Sequence, residues 1–205
     1  MILGMVEIKE KYRLVSWDEI EDLCFHISRK IEVAEYKPDI ITAISRGGLI
    51  PARLIQDHLQ VPELTFLQIL FYQQMDKVVP EPIIVHDISL SVRDKNVLVI
   101  DDVVDSGRSL KVACEHLRKR GAYSFRTATL YKKPWSLINP DFFISETDFW
   151  LIFPWEISET IVGFYQKFKE KGLGEEEIRA KLIELGFEQN RVDDLLAFHK
   201  RYKRI

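Results

Sequence analysis

Cysteine is scarce: Cys24 and Cys114 are the two thiols in 205 residues. They stand far apart without C-x-x-C spacing, each among apolar neighbours in a predicted helix. That pattern argues for buried thiols and against a disulfide or a nucleophile. So little cysteine suits a reducing compartment, and a cytoplasmic setting is expected. Long hydrophobic runs are missing too. No stretch approaches the roughly 18 apolar residues that span a bilayer, so no membrane partner is expected. The opening MILGMVEIKEKY carries charge by Glu7 and lacks the apolar core of a secretion signal. Neither sign of charge dominates: 29 basic residues face 32 acidic ones, for a net charge of −3. That balance gives no electrostatic reason to expect nucleic acid, although Lys200 to Arg204 is locally basic. Repeats and low-complexity stretches are absent.

What is present is an alternation of two periods. Ser16 followed by Glu19 reads as a capping box, and Ile20, Leu23, Cys24, Ile27 and Ile31 continue at helical spacing. Ile40 to Ile44 is a short apolar run between Pro38 and Gly47-Gly48, as a buried strand requires. Leu49 to Leu59 returns to helical spacing. Leu64 to Tyr72, Asn96 to Ile100, Arg126 to Tyr131 and Asp148 to Phe153 read as further strands. Ser109 to Arg120 reads as an amphipathic helix stopped by Gly121. Strands alternating with helices predict an α/β fold with a parallel sheet covered on both faces. Gln73 to Lys95 lacks sustained periodicity and reads as a long loop or loose hairpin, the usual form of a lid. From Ile157 onward the strand signals stop. Ser158 to Lys171, Gly174 to Leu185 and Gln189 to Tyr202 predict a small helical appendage, with three acids at Glu175 to Glu177 in a first turn.

The chemistry concentrates in Val97-Leu98-Val99-Ile100-Asp101-Asp102-Val103-Val104-Asp105-Ser106-Gly107-Arg108-Ser109. A buried strand runs into two adjacent carboxylates and then a small-residue loop that opens a helix. Successive backbone N–H groups of such a loop, at a helix N-terminus, wrap a phosphate. Ser106 and Ser109 add hydroxyl donors, and Gly107 permits close backbone approach. Asp101 and Asp102 can accept from vicinal ribose hydroxyls or hold a Mg2+ that neutralises pyrophosphate. Asp105 can face a base. One anionic ligand carrying a diol and a metal accounts for the whole stretch.

This stretch resembles the motif that binds phosphoribosyl pyrophosphate (PRPP) in type I phosphoribosyltransferases, and the chain is most similar to the xanthine–guanine and hypoxanthine enzymes. The likeness runs over about residues 10 to 156. A second similar segment is Ser45-Arg46-Gly47-Gly48. The resemblance implies that it holds pyrophosphate and contains a non-proline cis peptide at Ser45–Arg46. The guanidinium of Arg46 suits phosphate oxygens, and Gly47 and Gly48 bring N–H groups close. In Thr129-Leu130-Tyr131-Lys132-Lys133-Pro134, the resemblance assigns Lys133 to the purine O6 and leaves Lys132 to solvent. In Asp148 to Glu156 it assigns Trp150 to stacking on the base and the backbone of Leu151 to the base edge. Two features depart from the family. Phe71-Tyr72 stands where relatives carry Ser-Tyr, and Lys77 is the nearest candidate for the basic lid residue.

The resemblance therefore implies a phosphoribosyltransferase fold over residues 1–156, with a lid at about 73–95, and a helical extension over 157–205. It implies transfer of the 5-phosphoribosyl group from PRPP to N9 of a 6-oxopurine base, giving a purine nucleoside monophosphate and pyrophosphate. Mg2+ is the implied cofactor, with Asp101 and Asp102 as its ligands. Arg46, Gly47 and the run Asp101 to Ser109 (Val103, Val104 and Arg108 included) bind PRPP, and Asp105 assists proton removal. The family also implies a homo-oligomer, a dimer or a tetramer. Two alternatives stay open on sequence: a phosphoribosyltransferase for another base, and a PRPP-binding regulator without turnover.

Overall fold

The computed structural model describes residues 11–72 and 81–205. The described residues divide into two compact units, one within 18–148 and the other formed by 11–17 with 149–205.

The larger unit is built on a sheet of six strands in the order β4-β3-β2-β5-β6-β7. These are β2 (Ile40–Ser45), β3 (Glu63–Tyr72), β4 (Glu81–His86), β5 (Asn96–Val104), β6 (Ser124–Lys132) and β7 (Phe142–Glu146). All neighbours pair in parallel except β3 and β4, which are antiparallel. Helices α1 (Trp17–Val33), α2 (Leu49–Leu59) and α3 (Arg108–Lys119) accompany the sheet. This is the mostly parallel α/β architecture that the alternating periods require. The central β2 buries Ile40 through Ile44 on both faces, hence its uninterrupted apolar run. Along α3, Leu110, Ala113 and Leu117 meet Val97, Val99 and Val104 of β5 in one core. That helix ends where expected. Gly121 takes φ +81°, and the N–H groups of Gly121 and Ala122 donate to the carbonyls of Arg118 and Leu117.

Three elements differ from the sequence reading. β5 runs to Val104 rather than stopping at Ile100, so both aspartates of the motif stand on the strand itself. β7 was not anticipated. It follows Pro140 and is half-buried at the sheet edge, so it lacks the apolar run that betrays an inner strand. The expected lid is partly regular structure: 81–86 form the edge strand β4, while 73–80 lie outside the described residues. Pro82 is tolerated in β4 because an edge strand leaves one row of ladder donors unused.

The smaller unit contains β1 (Tyr12–Leu14) paired in parallel with β8 (Trp150–Ile152), and helices α4 (Ile157–Glu170), α5 (Glu175–Glu184) and α6 (Gln189–Arg201). The three expected helices are present. β8 pairs with β1 rather than joining the six-stranded sheet. Ile152 enters one core with Phe164, Phe168, Ile178, Leu182 and Val192, and Tyr12 and Leu14 pack against it. By packing, β8 thus belongs with β1 and the closing helices. Gly186 (φ +97°) lets the α5–α6 turn approach β1, since a Cβ there would stand 3.2 Å from Leu14 Cδ1. Arg179 forks onto Asp193 through Nε–Oδ1 (2.5 Å) and Nη2–Oδ2 (2.7 Å), fastening α5 to α6.

Cys24 is the buried thiol that the sequence indicates, whereas Cys114 is half-buried, and neither is in a disulfide. Burial pushes Cys24 up to about 12 and Cys114 up to about 11, so both stay protonated at neutral pH.

Candidate active site

In the larger unit the site forms at the carboxyl ends of β2 and β5, where an open parallel sheet places its ligands. Beyond β5 the chain turns through Asp105, Ser106 and Gly107 into α3. Gly107 has φ +82° and is buried, with Ile138 so near that an added Cβ would stand 3.0 Å from its Cβ. Glycine is required there by conformation and by space. The Arg108 N–H points to Ser106 Oγ at 3.4 Å, and the Leu137 N–H reaches the Ser106 carbonyl at the same distance.

This turn encloses a cavity of about 230 Å³. Asp101, Val103, Val104, Asp105, Ser106, Gly107, Arg108 and Ser109 all line it, joined by Leu110, Phe71 and Thr129. The predicted phosphate loop is therefore one concave surface. Asp102 differs: its carboxylate is only 7% exposed and accepts the Val103 N–H at 2.7 Å through Oδ1. Asp101 Oδ1 in turn accepts the Asp102 N–H at 3.0 Å. The two neighbouring acids point to different surroundings, as successive residues on a strand do.

The loop after β2 is the second part. Ser45 and Arg46 are joined by the non-proline cis peptide that the resemblance implies. An added Cβ at Gly47 would overlap the Asp102 carboxylate, and one at Gly48 would overlap the Ile100 carbonyl. The two glycines are thus needed because this loop presses directly on β5. Arg46 is exposed. Arg46 and Gly47 do not line the 230 Å³ cavity; they join the site through the Gly47–Asp102 contact.

Lys133 follows β6. Its backbone N–H donates to the Val104 carbonyl at 2.9 Å, which ties it to the end of β5. The residue is 6% exposed, and burial lowers its pKa from the usual 10.5, opposed by the charges of Asp105 and Asp148. Lys132 instead pairs with Glu146 at 2.9 Å, and is not simply solvated. Trp150 and Leu151 lie on β8 of the smaller unit. The Trp150 side chain is 58% exposed while its N–H donates to the Lys11 carbonyl at 2.7 Å, and Leu151 is buried.

Three contacts escaped the sequence reading. Trp135 donates its indole N–H to Asp105 Oδ1 at 2.5 Å. The Arg108 guanidinium stands 5.7 Å over the Phe71 ring at the cavity wall. Thr129, paired with Asp101 across β5 and β6, buries a hydroxyl that has no hydrogen-bond partner. A tryptophan just after Lys133-Pro134 was the signal available for the first; a threonine inside a strand gives none.

Among the described residues no group of three or more His, Cys, Asp or Glu side chains is placed to hold a metal alone. Nor is any helix long and apolar enough to cross a membrane.

Over residues 15–160 the sequence matches the family described as phosphoribosyl transferase domain. The xanthine-guanine phosphoribosyltransferase of Nitratidesulfovibrio vulgaris strain DP4 is 31% identical over 153 residues, covering 72% of this chain and 88% of that protein. The enzyme of the same name from Idiomarina loihiensis is 29% identical over 145 residues, 70% of this chain and 86% of the relative. Among solved structures, a purine phosphoribosyltransferase from Pyrococcus horikoshii superposes with a TM-score of 0.65 at 34% identity, covering 71% of this chain and 93% of that one. A Neisseria gonorrhoeae protein with bound ppGpp superposes with a TM-score of 0.62 at 26% identity, covering 72% and 90%.

Proposed function

This chain belongs to the phosphoribosyltransferase family, and on that premise we propose that it transfers the 5-phosphoribosyl group of PRPP to N9 of a 6-oxopurine (guanine, xanthine or hypoxanthine). The products are pyrophosphate and a purine nucleoside monophosphate, the chemistry of purine salvage. The observation that carries this reading is the cavity at the start of α3, lined without a gap by Val103 to Leu110 with the carboxylate of Asp101 at its wall.

The residues divide the work by their chemistry. Backbone N–H groups from Ser106 to Ser109, with the two serine hydroxyls, suit the three oxygens of the 5′-phosphate. Asp101 suits the ribose diol. Arg46, exposed beyond its cis peptide, suits the departing pyrophosphate, whose charge grows as the bond to C1 lengthens. Asp101 or Asp102 would hold a Mg2+, one carboxylate rather than both, since the two point to different surroundings. Hard carboxylate oxygens in so small a number fit an ion that takes one or two carboxylates and completes its shell with phosphate and water. When bound, the ion neutralises pyrophosphate charge. Asp105 would receive the proton that the base loses, and Lys133 would donate to O6. The exposed face of Trp150 and the backbone of Leu151 would serve the base by stacking and by reading its edge. A homo-oligomer and a cytoplasmic setting belong to the same proposal.

A nucleotide-synthesis assay with PRPP, Mg2+ and guanine, xanthine, hypoxanthine, adenine and orotate tests it. Nucleotide from the 6-oxopurines supports the proposal. Turnover of adenine or orotate alone would reassign the base. PRPP binding without turnover would make the chain a regulator, and no PRPP binding would remove the reading altogether.

A further inference from the structure

We propose that Trp135 is a positioning residue that fixes the spacing between Asp105 and Lys133, and through it the fit of the O6–N7 edge of the base. The inference rests on the reading of Asp105 and Lys133 given above.

One side chain meets both groups by two different properties. The indole Nε1–H donates to Asp105 Oδ1 at 2.5 Å, while the ring faces the Lys133 ammonium, with Nζ 5.5 Å from its centroid. A 6-oxopurine carries O6 and N7 side by side on one edge. A donor for O6 and a carboxylate near N7 must therefore stand at a fixed separation. Tryptophan can set it because it combines a single N–H donor with a broad π face. Phenylalanine keeps the face and loses the donor; leucine loses both.

The segment carrying Trp135 is docked on the phosphate turn at three points. Lys133 N–H donates to the Val104 carbonyl, Leu137 N–H donates to the Ser106 carbonyl, and Ile138 packs against Gly107. Its own turn is closed by Ser136 N–H on the Lys133 carbonyl at 3.0 Å and by Ser136 Oγ on the Ile138 carbonyl at 2.9 Å. Trp135 is thus held by its backbone while its ring remains 55% exposed. An exposed indole with a docked backbone and two polar contacts contributes little to a core. Its contacts with Asp105 and the buried Lys133 act on alignment, where small displacements cost rate heavily.

The test compares Trp135→Phe and Trp135→Leu with the parent chain, using PRPP, Mg2+, guanine, hypoxanthine and adenine. Trp135→Phe should lower kcat with the 6-oxopurines about 5- to 10-fold, the scale of one hydrogen bond, with KM for PRPP unchanged. Trp135→Leu should in addition raise KM for guanine and hypoxanthine, and narrow the preference over adenine. In an Asp105→Asn background, Trp135→Phe should add no further loss, because the carboxylate it orients is gone. Unchanged kcat in Trp135→Phe, or losses that multiply in full with Asp105→Asn, would overturn the proposal. So would a loss that vanishes once rates are corrected for the fraction of folded enzyme at the assay temperature, which marks a structural role. A parent chain inactive on every base would instead overturn the transferase reading on which the proposal stands.

Discussion

Gly47 and Asp102 occupy adjoining space with no room between them: a Cβ on Gly47 would overlap the Asp102 carboxylate, with Oδ1 at 2.7 Å. The Ser45–Gly48 loop and the paired acids of β5 are therefore one packed unit, although Gly47 and Asp102 stand 55 positions apart in sequence. Gly47→Ala must move either the loop or the carboxylate. We expect kcat/KM for PRPP to fall about 100-fold, as displacements near 1 Å do, while far-UV circular dichroism stays unchanged. Parent-like kinetics in a folded Gly47→Ala variant would show that Asp102 has no part in holding substrate.

Asp105 accepts the Trp135 indole and lines the cavity, where it can take the proton of the base. Asp105→Asn keeps the shape and removes the base. The expected outcome is a fall in kcat of about 10²-fold or more, with a much smaller change in PRPP affinity. Steady-state kinetics beside calorimetry of PRPP binding separates the two quantities. Equal losses in both would assign Asp105 to binding.

Lys133 titrates below the usual 10.5 because it is buried, although Asp105 and Asp148 oppose the shift. In the proposed role its ammonium form donates to O6, a contribution that is lost as pH rises through the lowered value. KM for guanine should therefore climb at a pH where an ordinary lysine is still charged. Lys133→Ala should raise KM at neutral pH and remove that climb. A KM for guanine that is flat with pH and untouched by Lys133→Ala would exclude the lysine from the base site.

His199 on α6 is 5% exposed, bonded through Nε2 to Ser158 Oγ at 2.8 Å, with Nδ1 unpartnered and the Arg204 charge nearby. Burial first, and Arg204 second, lower its pKa below the usual 6.5. Between the folded value and 6.5 the unfolded chain binds more protons, so stability falls as pH drops through that window. Urea unfolding followed by circular dichroism at pH 7.5 and 5 should show the loss, and His199→Gln should flatten it. Equal pH slopes in the two proteins would contradict this account.

Much of the site was legible because it is local. From Asp101 to Ser109 nine consecutive residues build a strand end, a turn and a helix start, so their order along the chain already implies a single concave surface. Ser45 to Gly48 is equally compact. The strands β2 and β5 were legible because Ile40–Ile44 and Val97–Ile100 are buried on both faces, while β6 showed through its β-branched and aromatic residues. β7 was not, since an edge strand buries less; nor was β8's pairing with β1, which lies at the other end of the chain.

From the residues alone came the alternating α/β plan, the turn from β5 into α3 and the three closing helices, all consequences of short-range periodicity and backbone chemistry. Folding alone decided that Asp102 would fill the space beside Gly47, that Tyr12 and Leu14 would join the core of the last three helices, and that Trp135 would reach Asp105. These contacts join residues tens of positions apart. Such distances leave no periodic trace in a sequence, because they depend on how the strands are ordered and how closely their ends are packed.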